Sequence, residues 1–97
     1  MAYEETDFVQ WPDKDPGEDQ DYDLDFTPRL AVGEVITGAV WVINGGLVKE
    51  DEEVASTSTK IWLSAGTLGK TAEAVCTATT NQGRTIVRTG ILNIARQ

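Results

Sequence analysis

Between Asp21 and Phe26 the chain alternates without a fault: Asp21, Asp23 and Asp25 fall on one side, Tyr22, Leu24 and Phe26 on the other. A period of two over six residues is the pattern of a half-buried β-strand, and it leaves no room for a helix. The rest of the chain is consistent with that start. Val, Ile and Thr supply 27 of 97 residues, and branched side chains suit a pleated surface better than a helix. No stretch carries a 3.6-residue apolar stripe bounded by caps.

Further strands follow from the same reading. Residues 34–43 form a second strand ending at the turn signal Asn44-Gly45-Gly46, with both faces apolar. Ala39, Trp41 and Ile43 are expected inward, Val40 and Val42 half-covered. Residues 47–54 include Glu50-Asp51-Glu52-Glu53 and read as a solvated loop or edge. Residues 60–64 form a short strand with Ile61 and Leu63 inward and Trp62 outward. Residues 71–80 and 84–95 form a closing hairpin across Asn81-Gln82-Gly83, with Ala72, Ala74, Cys76 and Ala78 on one small-residue face and Leu92 and Ile94 inward. Short strands joined by turns, in a chain of single-domain length, predict an all-β sandwich over residues 21–97.

The first twenty residues differ in kind. Residues 1–25 hold ten acids and one base, whereas residues 26–97 hold six acids and seven bases; the whole chain has a net charge of -8. Pro12, Pro16 and Pro28 all fall near the start. Residues 1–20 therefore read as an extended acidic arm outside the sandwich. Tyr3, Phe8, Val9 and Trp11 are more apolar than a solvated tail needs, so they either fold back onto the domain or dock on another chain. The docking alternative makes Phe8 and Trp11 contact residues, with Trp62 a third on the outer face of its strand.

Several functions are excluded or disfavoured. There is no histidine and one cysteine, which removes His-based triads, His-ligated metals and an intramolecular disulfide. The series Asp19, Asp21, Asp23 lacks the glycine and glutamate that a calcium loop requires: Leu24 and Leu30 stand there. Gly69-Lys70-Thr71 ends like a phosphate loop, but Ser64 replaces its first glycine and a strand follows. No catalytic, cofactor or metal residue is expected, and an enzyme is not. A neutral-to-acidic chain is a poor partner for nucleic acid. The longest apolar run is five residues, Ala39 to Ile43, so no membrane span or signal-peptide core is expected and the protein should be soluble.

The order of short motifs adds a resemblance. Phe8, Trp11-Pro12, Lys14-Asp15-Pro16 and Glu18, then Asp21 to Asp25, Arg29-Leu30, Trp41, Gly46-Leu47, Trp62-Leu63-Ser64, Gly66-Thr67 and Gly83-Arg84-Thr85 resemble a family of small tailed-phage and prophage structural proteins, often fiber–tail adaptors. Asp13, Gly17 and Phe26 depart from its pattern. The resemblance implies an Ig-like antiparallel sandwich and a non-enzymatic tail or neck adaptor that docks fibers or other tail parts. It places the protein in a virion assembled in the bacterial cytoplasm, as a ring or in repeated copies. It adds Pro12, Lys14, Asp15 and Pro16 to the expected contact residues. A capsid decoration protein is the alternative, and an acidic inhibitor of a host protein a further one.

Overall fold

The computed structural model describes residues 8–97, and seven strands account for most of them. They are β1 (Phe8–Gln10), β2 (Gln20–Asp25), β3 (Ile36–Ile43), β4 (Leu47–Val54), β5 (Ser58–Ala65), β6 (Thr71–Thr80) and β7 (Thr85–Asn93). One sheet has the order β1-β7-β6-β3 and the other β2-β5-β4. Among the described residues the strand pairings are antiparallel except β1 on β7, which an isolated parallel bridge between Lys14 and Ile94 extends. The one helical turn among the described residues is a 3-10 turn at Thr27–Arg29. The first seven residues, with Tyr3, lie outside the described part.

The inward faces are the expected ones. Tyr22, Leu24 and Phe26, Ile61 and Leu63, the small face of β6, and Leu92 and Ile94 form one buried cluster with Trp41. Ala72, Ala74, Cys76 and Ala78 fill little space at the centre of the larger sheet. That leaves room for aromatic rings from its neighbours, the alternation of large and small that a close-packed core needs. Burial pushes the Cys76 thiol up to about 11, with Thr59 as its 3.5 Å neighbour, so at neutral pH it behaves as a small apolar group. Arg88 also points inward from β7, and its guanidinium donates to the Asp25 carbonyl across the sandwich.

The turn glycines are required by contact as well as by backbone angle. Gly45 has φ +71°, and a Cβ there would lie 2.5 Å from that of Ala72. Only glycine lets the β3–β4 connection pass so close to β6 while crossing between sheets.

Of the two alternatives for residues 47–54, loop or edge, the structure has the edge: a full strand paired along β5. One expectation needs correction: the arm from Phe8 onward is part of the fold. Residues 8–10 pair with Thr89, Gly90 and Ile91. The Trp11 N–H donates to the Ile91 carbonyl at 2.8 Å, the Lys14 N–H to Asn93 at 3.0 Å, and the Ala95 N–H back to Lys14 at 2.9 Å. Proline excludes a central strand but not an edge: Pro12 falls in the gap between these paired stretches, where no N–H is needed. Trp11 is only 5% exposed. Its ring stacks on Tyr22 at 4.7 Å, and its indole N–H donates to the Asp23 carbonyl at 3.1 Å.

Candidate docking surfaces

The expected contact residues divide into two groups. Trp11 and Lys14 are buried in the domain and not displayed on a free arm: Lys14 is fully covered, and Trp11 meets the surface only where it lines a groove beside β2. The Lys14 ammonium donates to the Ala65 carbonyl at 2.6 Å and the Asp15 carbonyl at 3.0 Å. Burial pulls its pKa below the usual lysine value, while Asp19, Glu18 and Asp15 hold it up. Asp15 is likewise engaged within its own domain. Its carboxylate accepts from the Gly17 N–H at 2.8 Å and the Gln97 N–H at 2.9 Å, which hold its pKa below the usual range. The Asp15 N–H in turn donates to the Glu18 carboxylate at 2.8 Å. Lys14-Asp15-Pro16-Gly17-Glu18 is thus a turn that reverses the arm into β2.

Phe8, Pro12, Pro16 and Trp62 reach the surface. Trp62 is half-buried on the outer face of β5, with the Lys60 ammonium 5.6 Å from its ring centroid, within the range of a cation–π contact.

The two outer faces of the sandwich are chemically opposite. On the three-stranded sheet, Asp21, Asp23 and Asp25 line β2, and Asp51 and Glu53 line β4 opposite Trp62 and Lys60. Lys60 lies 3.7 Å from Asp21 and 3.8 Å from Asp23, too far for strong pairs at an exposed site. This face is acidic. On the four-stranded sheet the registers place Phe8, Thr89, Val75 and Val42 in one row and Val87, Thr77 and Val40 in the next. Glu73 is the one charged side chain among its outward strand positions. Val40 and Val42 are each 65% exposed, not half-covered as expected.

The edges differ in the same way. β4 carries Lys49 to Glu53 and a bulge between Lys49 and Asp51, the usual protection of a sheet edge. β3 is also an edge, yet from Gly38 to Ile43 its register is unbroken and it holds no charge and no proline. An unguarded apolar edge is a template for another strand. The sequence did contain a signal for it. A strand apolar on both faces must either be covered on both or present one, and residues 34–43 were such a strand.

One more polar cluster fixes the loops at the end of this sheet. Glu34 is buried, and its carboxylate accepts from Arg84 Nε at 2.9 Å and Nη2 at 2.8 Å, from the Thr80 hydroxyl at 2.6 Å and from the Ala31 N–H at 2.9 Å. The Arg84 guanidinium, with these hydroxyl and amide donors, holds the Glu34 pKa at about 2. It clamps the β2–β3 loop to the β6–β7 hairpin.

A search of curated proteins finds no match. A family profile described as "Podophage GP4 fiber-tail adaptor protein gp77" matches residues 14–93, most of the chain. The chain belongs to this family. The gp77 match begins at Lys14, within the turn, and ends at the close of β7. It therefore spans the whole sandwich from β2 onward. As a podophage tail adaptor family, gp77 makes this chain a structural component of a phage tail and hence of a virion.

Proposed function

We propose that the protein is a non-enzymatic adaptor that joins fibers or other tail parts through the nearly uncharged four-stranded face and the β3 edge. One observation carries this reading. On a chain of net charge -8, the one broad face nearly free of carboxylates is also the one that exposes Val40, Val42 and Val87. Contiguous apolar surface rimmed by polar residues marks contact sites, and depletion of charge is the compositional sign of an interface core. The partners are other virion proteins, met as a ring or as repeated copies and assembled in the host cytoplasm.

The strand order supports the Ig-like reading. The neighbours β2-β5-β4 and β7-β6-β3 correspond to B-E-D and G-F-C of an immunoglobulin sandwich. Trp41 and Cys76, paired in register, stand on the strands that carry the tryptophan and one cysteine there.

The test is the pair of substitutions Val40→Lys and Val42→Lys. Both sites are exposed, so each should change stability by no more than about 0.5 kcal/mol. The double variant should melt like the parent yet fail to enter tails during assembly. Normal incorporation would remove this face from the docking role.

A further inference from the structure

A groove of about 430 Å³ opens where the arm turns back beside β2. Its floor is the stacked pair Trp11 and Tyr22, and its rim carries Asp13, Glu18, Asp21 and Asp23. Among the described residues no lysine or arginine lines it, and Lys60 lies 3.7 Å from Asp21 and 3.8 Å from Asp23.

Acidity alone would be a solvated rim. The second observation is Tyr22. It is 7% exposed, it lines the groove, and its hydroxyl has no hydrogen-bond partner among the described residues. Burial raises its pKa, and the Glu18, Asp21 and Asp13 carboxylates raise it further. The side chain is thus more than nine-tenths buried, while its hydroxyl stays open to the groove as a free donor and acceptor.

We propose that this groove receives the guanidinium of an arginine projecting from a partner protein. The guanidinium is planar and weakly hydrated, and it donates several hydrogen bonds at once to carboxylates and hydroxyls. The groove offers carboxylate acceptors on the rim and the Tyr22 phenol oxygen, while Trp11, covered by Gly90 on one face and by Tyr22 on the other, leaves only its edge to the groove. Lysine, a compact point charge, would use the carboxylates but not the fork geometry. The proposal rests on the adaptor reading only for where the arginine comes from, another virion protein; arginine binding itself is a property of this chain.

The test is an NMR titration of the full chain at low salt with three probes: N-acetyl-arginine amide, N-acetyl-lysine amide and N-acetyl-citrulline amide. The arginine probe should shift the Trp11 indole and Tyr22 ring signals along a saturating curve. The lysine probe should bind several-fold more weakly, and the isosteric but neutral citrulline at least tenfold more weakly. In the variant Asp13→Asn with Glu18→Gln, whose Gln keeps an acceptor for the Asp15 N–H, arginine affinity should fall severalfold at an unchanged melting temperature. A linear response to arginine, or equal responses to arginine and either of the other probes, would overturn the proposal. Parent protein that enters tails normally but shows no arginine saturation would overturn this inference and leave the adaptor reading standing. Absence of the chain from tails would do the reverse.

Discussion

Gly90 decides where Trp11 goes. A Cβ on residue 90 would lie 2.3 to 2.5 Å from three atoms of the indole ring, so the ring rests on bare backbone. Gly90→Ala should therefore push Trp11 out of its seat, costing about 1–3 kcal/mol as an overpacked core site. A thermal melt together with Trp fluorescence checks this; an unchanged melt with unchanged fluorescence would contradict it. Trp41 shows a different economy. It is buried, but its indole N–H has no hydrogen-bond partner among the described residues. Trp41→Ala should cost about 3–5 kcal/mol, mostly as a cavity. Trp41→Phe should cost much less, because it loses some packing but also removes an unpaired buried donor. Equal losses for the two variants, measured by denaturant unfolding, would show that the ring system itself is indispensable. The burial of Trp41 and Phe26 was legible from their strands. That of Trp11 was not, because its partner is Gly90, far along the chain, and a glycine in a strand pattern announces a close approach without saying what approaches.

Among the elements, the alternating strand β2 and the hairpin β6–β7 could be read directly, since local period and turn chemistry determine both. β1 could not. Three residues between an acidic start and a proline have no period to detect, and their pairing with β7 is a long-range event. The consequence is a reversal for residues 21–97. Read as a free-standing domain, that fragment would melt like the full chain. The structure predicts that it loses the Trp11–Tyr22 stack, the buried Lys14 and the β1 pairing, and melts far lower or fails to fold. Matching melts would contradict the integration of the arm.

The Glu34 clamp gives a pH signature. Its carboxyl titrates at about 2 in the folded protein against an ordinary 4.5. A depressed folded pKa stabilises fully above the unfolded value, and the contribution is lost as pH falls from about 4.5 toward 2. Acid also relieves repulsion among the many other carboxylates, so the parent melt alone is not the readout. The difference in melting temperature between parent and Glu34→Gln should be largest near neutral pH and shrink across that window. A difference independent of pH would mean that the Glu34 charge contributes nothing.

At the scale of the whole molecule, the sandwich separates charge from apolar surface. The acids of residues 13–25 are not a loose tail; they lie on or beside the three-stranded sheet and give it its sign. The opposite face is left to Val, Ile, Thr and Phe. The sequence showed the charge asymmetry along the chain but could not show this asymmetry across it. Which strands share a sheet depends on topology, and β3 and β4, adjacent in sequence, end in different sheets. The account's central claim is that the four-stranded face and its β3 edge are where this tail protein meets its partners. Cryo-electron microscopy of intact particles tests that most directly. The predicted result is density for this chain in the tail, with Val40, Val42 and Val87 covered by a neighbouring protein. A chain located in the tail with that face open to solvent would contradict it.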